Sequence, residues 1–442
     1  MLMGVSILML LGSCYYSMTS LRLMNGDGSR AMLNLLGNPH LYAEDPYLRW
    51  SNVLLQWPYL IIANLVNLKI NEARNLIAFS FTTMPIFFLM FYGIQSLRLK
   101  CMRWLWATIG LTCVVYFPQA FNSFNTVVES SFLFLLYLFA QKHFSGYVKN
   151  IIQTILIASF VCSHELSLAY TGFIFIKPIL DHYITYKRIS FKFDLMSLLG
   201  LLASLAILIR YLRLPAVNHI DYRSHLLSYT ENFDLMVVLS FLVLCYFVIA
   251  RKKNQTYITC VAFIGLLVKA SMSFYAIEFF HYSFRLLTPL LTLGWCLLFY
   301  YHPSFLDSKL VQVLLLVMLS SFSIKDMKLS ERWTTNLNNF IEFSQDKPLC
   351  YTENNQAVMN NLRQYGYYDR VMGMHISLAM SPSYENPKLI FLPTKESAVF
   401  DPCKHISDYR IPYNEKEDNH FYFNQLFKFN WEVFDALGNS AP

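Results

Sequence analysis

Charge is what this sequence has least of. Of its 442 residues, 14% are Asp, Glu, Lys or Arg and 55% are hydrophobic, against roughly 25% charged in an ordinary soluble domain. A deficit of that size excludes a water-soluble globule. Nucleotide-binding signatures are also missing. There is no Walker loop, no G-x-G-x-x-G and no cysteine cluster at zinc spacing, so nucleotide-driven chemistry has no support. No basic residue precedes the first apolar stretch, Leu2 to Thr19, which argues for a transmembrane anchor over a cleaved secretory signal. Ser13 and Cys14 after Leu11 resemble a lipoprotein cleavage box only loosely. Residues 325–442 contain no run long enough to cross a bilayer.

What is present is a series of long apolar runs through the first three quarters of the chain, several near the roughly 20 residues that span a bilayer core. Short basic connectors separate them: Arg98 to Arg103, Lys142 to Lys149, Lys187 to Lys192, Arg251 to Lys253, and the Asp307 to Lys309 turn. Consecutive connectors are two runs apart, so all five fall on one side, which the positive-inside rule makes cytoplasmic. The formal charge of +7 therefore orients a membrane protein and does not point to nucleic acid. The run Val53 to Leu68 breaks this parity if it crosses. It reads instead as an interfacial helix, with Trp50, Trp57, Tyr59, Asn64 and Asn67 suited to the headgroup level. The expectation is a mainly α, polytopic transmembrane bundle of about 11 spans over residues 1–324. Residues 21–75 form its first external loop with juxtamembrane helices, and 325–442 form a small extracytoplasmic α/β domain. Cys350 and Cys403 are the only cysteines of that domain and are expected to pair in an oxidising compartment.

With this topology, polar groups converge on the outer face. Asp27, between Gly26 and Gly28, reads either as a helix N-cap or as a free carboxylate. Glu44 and Asp45 follow; Glu129 opens the fourth span; Glu278, His281 and Arg285 flank the start of the tenth. His164 and Glu165 occupy a tight turn, where they either satisfy turn amides or supply a metal ligand and a base. Lys269 lies inside the ninth span, where an ionisable side chain needs a partner or a cavity. Arg22, Arg49, Arg210 and Arg213 read as cations snorkelling to headgroups.

Several of these segments carry a family resemblance. The stretch from Asp27 through Arg30 and Tyr42 to Pro58, then Glu72-Ala73-Arg74, and later His281 to Arg285 with Leu-Leu-Thr-Pro after it, resembles the C-type (GT-C) membrane glycosyltransferases. Among these are the lipid A aminoarabinose transferase and the protein mannosyltransferases. The resemblance covers about residues 1–324. It departs from the family at the paired acidic motif, for which this chain has a single Asp27, and at the second external loop, where Glu129 and His164-Glu165 are the nearest candidates.

The resemblance implies transfer of a sugar from a polyprenyl-phosphate-linked donor to a cell-envelope acceptor, at the outer face of a bacterial inner membrane. Asp27, with His164 and Glu165, would supply acid–base catalysis. Arg285, His281, Lys269, Arg30, Glu44 and Asp45 would hold substrate. A divalent metal ion is a possible cofactor with no ligand set assigned. Membrane lipids are the other expected partners, and nucleic acid is not one. Two other readings stay open: an O-antigen polymerase or ligase, and a transporter without chemistry, which would show internal repeats and broken helices.

Overall fold

The computed structural model describes residues 1–24, 32, 35–36, 53–66, 68–117, 126–163, 165–186, 188–191, 193–212, 281–347, 350–352, 380–381 and 389–391. Expected features in 213–280 and in most of the carboxyl-terminal region, including Cys403, fall outside them.

These residues are almost all helical. In chain order the helices are α1 (Leu2–Thr19), α2 (Val53–Leu65), α3 (Ile70–Thr82), α4 (Met84–Arg98), α5 (Arg103–Leu111), α6 (Thr126–His143), α7 (Gly146–Val161), α8 (Leu168–Tyr186), α9 (Leu195–Leu212), α10 (His281–Tyr301) and α11 (Lys309–Gln345). A parallel strand pair, β1 (Cys350–Thr352) and β2 (Leu389–Phe391), aligns Cys350 with Leu389 and Thr352 with Phe391.

Two helices, α1 and α11, are long and apolar enough to cross a membrane, and the pair α3–α4, bent by 52°, is a third if the two are one span. The bend has a local cause. Pro85 sits at the start of α4, where it removes an N–H and clashes with the preceding turn. At the bend the Thr82 carbonyl accepts from the Tyr116 hydroxyl at 3.3 Å. By contrast α2 has 13 residues, about 20 Å of helix against a bilayer core of about 30 Å. It folds back on α3 and exposes Trp57, Ile61, Ile62 and Leu65.

The outward faces of the bundle are apolar. Leu195, Leu198, Leu202, Leu205 and Ile209 of α9 stand exposed at helical spacing, as do Val148, Ile151 and Ile155 of α7 and Phe87, Met90, Ile94 and Leu97 of α4. Polar residues take the inner faces instead: Gln153 of α7 and Ser6, Ser13 and Ser17 of α1 are buried. Continuous apolar stripes turned outward are what lipid tails solvate and water does not.

Side-chain contacts fix the direction of each helix. Ser6 reaches the Leu316 carbonyl, Ser13 donates to Asp326, and the Leu21 carbonyl accepts from Trp333, so α1 and α11 run parallel. Trp104 meets Phe299 while Trp295 donates to the Ala107 carbonyl, so α5 and α10 are antiparallel. Cys113 with Leu315 and Phe117 with Phe322 set α5 parallel to α11. Corresponding pairs make α6 antiparallel to α7 (Ser130 with Ser163, Phe134 with Phe160) and α8 antiparallel to α9 (Thr171 with Ser204, Phe175 with Phe193). The helices α1, α5, α7, α9 and α11 thus end where α6, α8 and α10 begin. We call that the Arg22 end, and the opposite one the Arg103 end.

The centre is aromatic. Trp104 stacks on Tyr92 at 6.0 Å, meets Phe139 and Phe299 edge-on at 4.9 and 4.6 Å, and donates from Nε1 to His143 Nε2 at 2.7 Å. One side chain so joins α4, α5, α6 and α10. Trp295 packs against Gly110, where an added β-carbon would clash with Cζ2 of the indole. Past that notch the chain widens into a π-helix, Thr112–Tyr116, buried throughout. In lipid, such packing replaces the hydrophobic drive that holds a soluble core.

Candidate functional site

The Arg22 end holds two buried polar clusters. The first joins α1 to α11. Leu21 takes φ +52°, a left-handed conformation unusual for a bulky residue, and this terminates α1 and turns the chain. Trp333 pins the turn by donating to the Leu21 carbonyl at 3.2 Å. The next residue, Arg22, is fully buried and forms an ion pair with Asp326 at 2.6 Å, while its Nη1 also donates to the Ser330 hydroxyl at 2.9 Å. Ser13 donates to the second oxygen of the same carboxylate. Arg22 therefore does not snorkel to headgroups; its charge is neutralised inside the protein.

The second cluster is a layer of hydroxyls between α6, α7, α8, α9 and α10. Ser130, Ser163 and Ser167 bond one another at 2.5–3.1 Å. Ser131 bonds the Tyr170 hydroxyl at 2.8 Å and accepts from Thr292 at 2.9 Å, and Ser204 donates to Thr171 at 2.9 Å. Beside them, in the first turn of α6, Glu129 is 1% exposed. Hydroxyls suit this place because each both donates and accepts, so a chain of them can close without a net charge.

The layer is tied to a turn of chemical interest. Where α7 ends, its last carbonyls have no partner within the helix. Arg210, from the last turns of α9, donates to the carbonyls of Val161 and Ser163, the latter at 2.8 Å. This too departs from the snorkelling expectation, because the guanidinium caps a neighbouring helix. The capped segment leads through position 164 into a 3-10 turn, Glu165–Ser167, which packs against α6, α8, α9 and α10.

The backbone therefore places three of the sequence's candidate segments at one end of the bundle: the turn containing Glu165, the first turns of α10 with His281 and Arg285, and the start of α6 with Glu129. The side chains of Glu165, His281 and Arg285 lie outside the described residues. So do His164, Asp27, Arg30, Glu44, Asp45 and Lys269. Among the described residues no group of three His, Cys, Asp or Glu side chains could hold a metal ion. Glu129 is the one described carboxylate at the hydroxyl layer.

Two buried charges were missed in the sequence. Lys177 of α8 is 3% exposed, pairs with Asp181 one turn on, and lies 4.7 Å from the Tyr300 ring centre. Asp326 is the other. The i to i+4 spacing of Lys177 and Asp181 was the available signal for the first. Comparison with protein-family models, with curated proteins and with solved structures finds no match.

Proposed function

We propose that the chain is a polytopic membrane glycosyltransferase acting at the Arg22 end of its bundle, on a sugar donor carried by polyprenyl phosphate. In this reading the passes α1, α3–α4, α5, α6, α7, α8, α9, α10 and α11 cross the membrane, with two more in 213–280. The Arg103 end faces the cytoplasm and the region after α11 lies outside as a small α/β unit, to which the β1–β2 pair belongs. Parallel first and last helices support an odd number of passes.

The observation that carries the reading is the buried polar layer at the Arg22 end. Hydroxyls, Glu129 and the Arg210-capped turn are gathered there, level with where a lipid-anchored phosphate would meet water. An ionisable side chain such as Glu129 is costly to bury in a bilayer, and its burial beside this layer supports a functional site. Sugar transfer asks for such a place. A carboxylate, Asp27, takes the proton of the acceptor hydroxyl, with Glu165 and His164 the other acid–base candidates. The acceptor oxygen bonds to the anomeric carbon as the bond to phosphate breaks, and the lipid phosphate leaves with the electron pair. Arg285, Lys269 and His281 stabilise its developing charge.

The test is transfer by the purified chain from radiolabelled polyprenyl-phosphate sugars to an envelope lipid acceptor. Asp27→Asn should lower the rate by about 10² to 10⁴. Arg285→Lys should weaken donor binding despite keeping the charge, since lysine lacks the planar fork. An undiminished rate in Asp27→Asn would reduce Asp27 to a helix cap. No transfer from any donor by the wild-type chain would overturn the reading.

A further inference from the structure

At the Arg103 end, α7, α8 and α9 meet in a surface that no chemistry above uses. Arg210 and Val161 lie 49 residues apart in parallel helices, so the start of α7 at Gly146 to Lys149 stands level with the start of α9 at Leu195 to Leu198. The segment between α8 and α9 leads directly into the second of these starts and is anchored where Phe193 stacks on Phe175 at 5.1 Å. Large apolar side chains at this end are exposed: Tyr147 of α7 at 87%, Phe191 and Ile189 of the α8–α9 connection at 74% and 66%, and Tyr186 at the end of α8 at 65%.

The charges around them are unbalanced. Among the described residues Lys149 and Arg188 form no ion pair, whereas Asp194 and Asp181 are engaged. Asp194 accepts from the Ser197 amide and hydroxyl at 2.8 and 2.6 Å, and Asp181 holds Lys177 and the Tyr301 hydroxyl. The surface thus combines exposed aromatic and aliphatic groups with uncompensated cations. Water alone satisfies only the cations, and acyl chains alone only the apolar groups. An anionic phospholipid satisfies both, its glycerol and upper acyl region against the rings and its phosphate against the guanidinium and ammonium.

We propose that the α7, α8 and α9 termini at the Arg103 end form a binding surface for anionic glycerophospholipid, with Lys149 and Arg188 holding the headgroup and Tyr147, Tyr186, Ile189 and Phe191 seated at the acyl boundary. The proposal rests on the membrane placement above but not on the transfer chemistry. Each cation near an anionic surface is worth about fivefold in local lipid enrichment.

Tyr147→Trp supplies a reporter at a fully exposed position. The variant and its parent are placed in phosphatidylcholine nanodiscs carrying brominated phosphatidylglycerol or brominated phosphatidylcholine at equal mole fraction. The added tryptophan should be quenched at least about twofold more by the brominated phosphatidylglycerol. In Tyr147→Trp with Lys149→Gln and Arg188→Gln the two lipids should quench alike. Equal quenching in the first variant, or a preference that survives loss of both cations, overturns the proposal. If neither lipid quenches the reporter while the parent's tryptophans are quenched, this surface is off the bilayer and the proposal falls alone. If the parent's tryptophans escape both lipids, the membrane placement itself falls.

Discussion

Replacing Asp326 by asparagine would leave the Arg22 guanidinium buried without its carboxylate. Removing one partner of a buried pair typically costs about 3–5 kcal/mol, while replacing both by apolar residues of similar size can be nearly neutral. Asp326→Asn and Arg22→Met should therefore each lower the midpoint of thermal unfolding in detergent, and Arg22→Met with Asp326→Leu should recover most of the loss. Additive losses would show that the pair is not coupled. The exposed pair at the other end behaves differently. Arg103 grips Asp307 at 2.9 and 3.1 Å from Nε, and this hydrogen bonding holds the Asp307 carboxyl below its ordinary range. A depressed carboxyl contributes stability above its unfolded pKa and loses it as pH falls through the folded one. The contribution should thus disappear only in strong acid, and it should be small because the pair is solvated. Asp307→Asn should match wild type in acid and fall slightly below it at neutral pH in the same unfolding assay. At this scale the sequence was least informative. Arg22 and Arg210 look like any arginine at the end of an apolar run, because a partner some 300 residues away, or a helix terminus in space, leaves no local trace.

Helices were largely legible as elements, and their failures are instructive. The apolar run in α11 stops near Ser323, where the hydropathy falls, yet the helix continues unbroken to Gln345 across the expected domain boundary. Averaged hydropathy hides the reason. Asp326, Ser330, Trp333, Leu337 and Phe340 are all buried and recur at three- and four-residue spacing, so one face remains an interior face after the mean has turned polar. The π-helical turn that follows α5 had no comparable signal, since Thr112 to Tyr116 is as apolar as any helix. Close approach between α5 and α10 rests on Gly110, and Gly110→Ala should sharply lower the yield of folded protein in size-exclusion chromatography. Trp295→Phe, which narrows the ring but gives up the 2.8 Å bond to Ala107, should partly rescue it. A double variant no better than Gly110→Ala alone would show that the indole is not what the glycine accommodates.

Among the described helices, side-chain contacts give an alternation of directions compatible with the one expected from the connector charges. The candidate site was legible only as an end of the bundle. The sequence pointed to the 164–165 turn and to the start of α10, whereas the hydroxyl layer beneath them is built from serines and threonines too common in apolar helices to attract notice. In an otherwise cysteine-free chain, a cysteine at Asn71 should react with an impermeant thiol reagent added outside and one at Ser145 only after permeabilisation. The reverse pattern would invert the molecule.

The embrace of α1 by α11 also sets a schedule. Arg22 leaves the ribosome 304 residues before the backbone carbonyl of Asp326 that it will bind. At about 5–20 residues per second that interval is roughly 15–60 s. On the membrane placement proposed above, the first helix spends that interval beside an unneutralised guanidinium. The pair can close only when α11 arrives, so an interrupted message yields a chain whose opening segment still displays its charge.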